Sequence, residues 1–106
     1  MKPAVLSLVS MATAVVLSGP VGATENPPKV VASIKPIHSL VATVMLGIGE
    51  PDLIIEGAGS PHTYALKPSQ AAALENADLV FWVGHVMETF LEKPIKSILR
   101  RGVSVE

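Results

Sequence analysis

At 106 residues, with no cysteine and a formal net charge of −1, the chain has room for one small domain and excludes a disulfide framework or thiolate metal site. Near-neutral charge with lysine and glutamate interspersed argues against a nucleic-acid partner, which requires a basic face. High apolar content and short charge runs argue against disorder.

Met1-Lys2 is a short positive start, and Ala4–Leu17 is almost entirely small or apolar. Gly19-Pro20 then breaks any helix, and Val21-Gly22-Ala23 puts small residues where a signal peptidase reads. This pattern predicts a secretory signal peptide over Met1–Ala23, cleaved after Ala23. The competing reading is a transmembrane anchor, which needs about 20 apolar residues and a following charge cluster. The run supplies neither. No other segment is apolar and long enough to span a bilayer, so no stable membrane insertion is expected after cleavage. Thr24–Glu106 is then one small α/β domain with a net charge of −2.

Thr24–Pro28 reads as a polar lead-in. Lys29–Ile34 is β-branched and nearly continuously apolar, which predicts a buried parallel strand. Lys35-Pro36 stops it, and Ser39–Leu46 carries Leu40, Val41, Val44 and Met45 at helical spacing, ended by Gly47 and Gly49. Asp52–Ile55 predicts a second strand, and Glu56–Tyr64 is a loop by composition. Pro68 suits a first helical position, and Ser69–Asn76 is an alanine-rich helix. Leu79–Val83 predicts a third buried strand closed by Gly84. Glu88–Arg101 reads as helical with a break at Lys93-Pro94, and Val103–Glu106 as the start of a fourth strand. Strands alternating with helices imply a parallel sheet with flanking helices.

Ligands of open parallel sheets gather at the carboxyl ends of the strands. Lys35–His38, Glu56–Tyr64 and Gly84–Glu88 fall there, and each holds one of the three histidines. Neutral imidazole is a preferred zinc ligand, and a carboxylate completes a tetrahedral site. His38, His62 and His85, with Glu56 and Glu88, are the candidate ligands. Spacing leaves two readings open: convergence on a metal, or ordinary loop histidines. No His-x-x-x-His pair sets two ligands on one helix face. Gly57–Ser60 lacks the lysine and spacing of a P-loop, no Gly-x-Ser-x-Gly elbow occurs, and no catalytic residue is assigned. Phe81 and Trp82 lie inside an apolar strand and read as core.

Val30–Leu40 (Val-Val-Ala-Ser-Ile-Lys-Pro-Ile-His-Ser-Leu), Ser60–Ser69 (Ser-Pro-His-Thr-Tyr-Ala-Leu-Lys-Pro-Ser) and Ala77–Gly84 (Ala-Asp-Leu-Val-Phe-Trp-Val-Gly) follow one another in order. Together with Glu88–Pro94 they resemble the periplasmic zinc-uptake binding proteins of the ZnuA type, over Val30–Glu106. The resemblance implies a two-lobed α/β protein of the periplasm, its lobes joined by a long helix. Zinc would sit in the cleft, held by histidines from both lobes, and pass to an inner-membrane ABC permease. Residues 24–106 would be the N-terminal lobe, incomplete relative to the family: the second lobe, linking helix, other histidine ligands and His/Asp-rich loop have no counterpart here. The Ser-x-His-x-Tyr motif puts the first zinc ligand at His62, with Tyr64, Leu66 and Pro68 shaping the loop. His38 and His85 are lesser metal candidates, His38 more as a residue lining the cleft or hydrogen-bonding behind the metal. Glu56 and Glu88 read as solvated loop carboxylates. Pro61 stands where some relatives carry an acidic ligand, while Thr63, Lys67 and Gln70 replace frequent Asp, Arg and Asp.

Manganese- and iron-selective relatives share this fold, and an imidazole-rich site favours zinc. Two other classes stay in view. One is a partner-binding or adhesin-like lobe, or a non-functional fragment, without tight metal binding; a lipoprotein of that kind needs a processing-site cysteine. The other is a small exported hydrolase, which needs a nucleophile with a base in reach.

Overall fold

The computed structural model describes residues 26–106, and the expected signal peptide over Met1–Ala23 lies outside them. The elements are β1 (Val30–Ala32), α1 (Lys35–Val44), β2 (Asp52–Leu53), α2 (Pro68–Asn76), β3 (Leu79–Phe81), α3 (Thr89–Ser97) and β4 (Val103–Val105). The strands form one parallel sheet in the order β2-β1-β3-β4. This is the expected α/β class.

Each of the first three strands is shorter than the apolar run that announces it. Beyond the ladder, pairing continues through isolated bonds. Ile54 N–H donates to the Ala32 carbonyl at 3.0 Å, Ile55 N–H to that of Ser33 at 2.9 Å, and Trp82 N–H to that of Val105 at 3.1 Å. The buried backbone is thus satisfied without regular strand geometry.

Two helix boundaries differ from expectation for identifiable reasons. α1 begins at Lys35, not Ser39, because Pro36 lies in its first turn, where a missing N–H loses no partner. The His38 N–H donates to the Ile34 carbonyl at 2.9 Å and closes that turn. α3 runs through Pro94 without the expected break. An interior proline costs about 3 kcal/mol, but Leu91 and Ile95, either side of it, are both buried. Each such side chain contributes about 1.5–3 kcal/mol, so packing outweighs the lost bond.

Alternation along the strands separates the two sheet faces. Val31 and Val80 point to one side, where they join Ile54, Leu74, Ala77, Trp82, Leu91 and Ile95 in the core beneath α2 and α3. Val30, Leu79 and Phe81 point to the other, where they and α1 line an apolar groove of about 520 Å³. The topology explains the division: right-handed crossovers run outward from β1 to β2 and then reverse, which puts α1 alone on its face. Gly102 lets the chain enter β4 past α2's end, since a Cβ there would lie 2.4 Å from the Ala77 carbonyl oxygen. Among the described residues, no helix is long and apolar enough to cross a membrane.

Candidate metal centre

The β2–α2 loop, residues 56–67, rises at the carboxyl end of the sheet. Its outermost part is a turn over Ser60–Thr63, closed by the Thr63 N–H donating to the Ser60 carbonyl at 3.3 Å. Pro61 occupies the second turn position, where its fixed φ suits the bend. The Ser60 hydroxyl oxygen accepts the His62 N–H at 3.3 Å. Both contacts are local, so the sequence Ser-Pro-His-Thr itself builds the turn. The His62 side chain is exposed at its third position.

Behind His62 the loop is anchored. The half-buried Tyr64 ring meets Phe90 of α3 at a centroid distance of 5.3 Å and a tilt of 54°. Gly59 lies against the same ring, a Cβ there falling 3.0 Å from Tyr64 Cδ2. The phenolic oxygen accepts a bond from Gln70 Nε2 at 2.7 Å. A small hollow beside the turn, about 220 Å³, is lined by Ile34, Lys35, Ile55, Gly57, Gly59 and Pro61.

The structure does not gather the candidate ligands into one site. Among the described residues, no group of three or more His, Asp or Glu side chains is disposed to hold a metal ion. His38 is half-buried in the first turn of α1, not on a loop, and its Nε2 lies 2.9 Å from the Pro51 carbonyl oxygen. That carbonyl only accepts, so Nε2 carries the proton and ties α1 to the entrance of β2. His85 is exposed in the turn after β3, where its own carbonyl accepts the Thr89 hydroxyl at 2.9 Å. Glu56 is exposed, as expected for a loop carboxylate.

Glu88 is the correction. Expected in solvent, it is fully buried. Its Oε1 accepts the Ser33 hydroxyl, and its Oε2 accepts the backbone N–H groups of Val83 at 2.8 Å and Gly84 at 3.1 Å. Three donors and the start of α3 replace water around the carboxylate. One side chain thereby ties together the ends of β1 and β3 and the first turn of α3. A signal for this was present: Glu88 precedes buried Leu91 and Ile95 at helical spacing and shares their inward face.

These features set an exposed histidine on one carboxyl-end loop of a parallel α/β lobe, and the fold recurs in solved metal-binding proteins. The periplasmic zinc binding protein TroA from Treponema pallidum matches with a TM-score of 0.69 at 24% identity, over 76% of this chain and 29% of that one. Zn(II)-bound AdcA from Streptococcus pneumoniae matches with a TM-score of 0.67 at 18% identity, over 76% of this chain and 18% of that one. At such identities the likeness is one of fold. Over residues 30–106 the chain matches the ZnuA family, described as zinc-uptake complex component A periplasmic, and it belongs to that family. The high-affinity zinc uptake system protein ZnuA of Brucella abortus is 59% identical over 69 residues, covering 65% of this chain. Its namesake in Haemophilus influenzae is 36% identical over 95 residues, covering 90% of this chain. The chain spans 21% and 27% of the lengths of those two relatives.

Proposed function

We propose that this chain contributes the first zinc-binding lobe of a periplasmic high-affinity zinc uptake system, with His62 as a zinc ligand. The observation that carries the reading is the exposure of His62 on a self-closing turn at the carboxyl end of the parallel sheet, in a chain of the ZnuA family. Zinc is the cargo, not a resident cofactor, and no reaction is catalysed. Met1–Ala23 directs export, and residues 24–106 form the lobe. In the assembled system zinc lies in a cleft between this lobe and a second one. The loaded protein delivers Zn2+ to an inner-membrane ABC permease.

Imidazole at His62 is accessible to an incoming ion, and nothing need unfold for it to bind. One histidine holds zinc weakly, because tight sites fix three or four ligands. His38 and His85 are secondary candidates: the ring nitrogen that His38 commits to Pro51 makes it the poorer of the two.

The test is a zinc chloride titration of the isotope-labelled chain, followed by the ring nitrogen signals of its histidines. The His62 signals are expected to shift saturably, and His62→Ala to remove most of the binding. A titration in which His85 alone responds would overturn the assignment.

A further inference from the structure

Gln70 lies at the start of α2 and is 8% exposed, yet its side chain reaches the chain just before the His62 loop, in its middle and at its end. Its Nε2 donates to the Ile54 carbonyl, where the chain leaves β2, at 2.7 Å. The same nitrogen donates to the Tyr64 hydroxyl at 2.7 Å. Its Oε1 accepts the Lys67 N–H, at the entrance of α2, at 2.9 Å. The segment before the loop, the loop's middle and its end therefore meet on one amide.

The amide orientation follows from its partners. With nitrogen and oxygen exchanged, Oε1 would face the Ile54 carbonyl oxygen and Nε2 would face an N–H, a repulsive pairing at both ends. A carboxylate at this position would lose both donors, and a shorter amide would not span the same distances.

From this geometry we infer that Gln70 is a positioning residue for zinc capture, holding the turn that presents His62 through Tyr64. The inference rests on the reading of His62 as a zinc ligand. Tyr64 is two residues from His62, and its ring is clamped between Gly59 and Phe90. Releasing its hydroxyl from Gln70 leaves the ring packed but the Ser60–Thr63 turn free to move relative to β2 and α2. A ligand that wanders must be re-ordered on binding, which weakens capture.

The test uses the 106-residue chain with Gln70→Met, a change that keeps the length of the side chain and removes its hydrogen bonds without adding a charge. Zinc chloride is titrated against the wild type, Gln70→Met, His62→Ala and the double variant, with histidine ring signals as the readout. Backbone amide exchange is measured in parallel. Gln70→Met is expected to weaken zinc binding about tenfold, the low end of the effect of removing partners behind a metal ligand. Exchange should quicken across residues 57–66 while the amides of β1 and β3 stay protected. In the His62→Ala background, Gln70→Met should add nothing. Should Gln70→Met unfold the chain, Tyr64→Phe removes only the hydroxyl and should give a smaller effect in the same direction. Unchanged zinc binding in Gln70→Met, with His62→Ala defective, overturns the role of Gln70 alone. Unchanged binding in His62→Ala overturns the ligand assignment, and this inference with it.

Discussion

The two faces of this sheet carry similar apolar side chains and meet different fates. Under α2 and α3, Leu74 and Leu91 are 0% exposed and Ile95 is 9% exposed. On the opposite face α1 buries none of its residues, and Leu40 and Val44 stay 71% and 80% exposed. Both α1 and α3 are amphipathic by sequence. The difference is coverage: two helices lie side by side on one face, and a single helix spans the other. Periodicity determines which side of a helix is apolar, but not whether anything covers it. The larger part of the core therefore lies under α2 and α3, with Val30, Ala32 and Met45 buried on the α1 side.

The sharpest way to break this comparison is to make one chemical change on both faces. Leu91→Ala removes a side chain with no exposed surface and should cost about 3 kcal/mol, within the range for core leucines. A shift of the urea midpoint at constant slope measures it. A loss below about 1 kcal/mol would put the core elsewhere. Glu88→Gln acts on the same face by a different force. It replaces one acceptor oxygen with an amide nitrogen among three donors, leaving a buried donor unmatched. The expected loss is about 2 kcal/mol. Because Glu88 anchors the first turn of α3, amide exchange should quicken at residues 83–91 before it quickens in α2.

The alternation of strands and helices was legible because hydrophobic period and the Gly and Pro positions survive into the fold. So was the turn that holds His62, since Ser60, Pro61 and Thr63 close it among themselves. Glu88 was misjudged, and the part played by Gln70 left unread, for a common reason. One partner of each lies far along the chain, Ser33 at a separation of 55 residues and Ile54 at 16. Helical spacing puts Glu88 on the inward face with Leu91 and Ile95, but only the topology brings Ser33 to it, as it brings Ile54 to Gln70. Spacing left the convergence of the three histidines open on the same ground: the carboxyl end of a sheet is an area, and loops reaching it need not meet.

Leu40→Ala completes the comparison from the thin face. Most of this side chain is already in water, and alanine is at least as good a helix former. The expected change in stability is within about 0.5 kcal/mol. A cost approaching that of Leu91→Ala would mean that the groove under α1 contributes as a core, and the contrast between the faces would disappear.

The outward side of α3 supplies the weakest contribution and a baseline for both faces. Glu92 and Lys96 pair there at 2.8 Å, four residues apart. The hydrogen bond from Lys96 and then its charge hold the Glu92 carboxyl below its ordinary value. A depressed folded-state pKa gives stability that is present above the unfolded pKa, about 4.3 for glutamate. That stability fades as pH falls through the lower folded value, so the dependence lies on the acid side and not near neutrality. Lys96→Gln should raise the Glu92 pKa toward normal, as read by a carboxyl carbon titration, and should flatten this part of the pH–stability curve. In an exposed pair the effect is small and screened by salt. If Lys96→Gln left the Glu92 titration unmoved, the depression would have to come from His85 and Lys93, whose charges act in the same direction. The outer face of α3 would then be tied to the loop after β3 instead of standing apart from it.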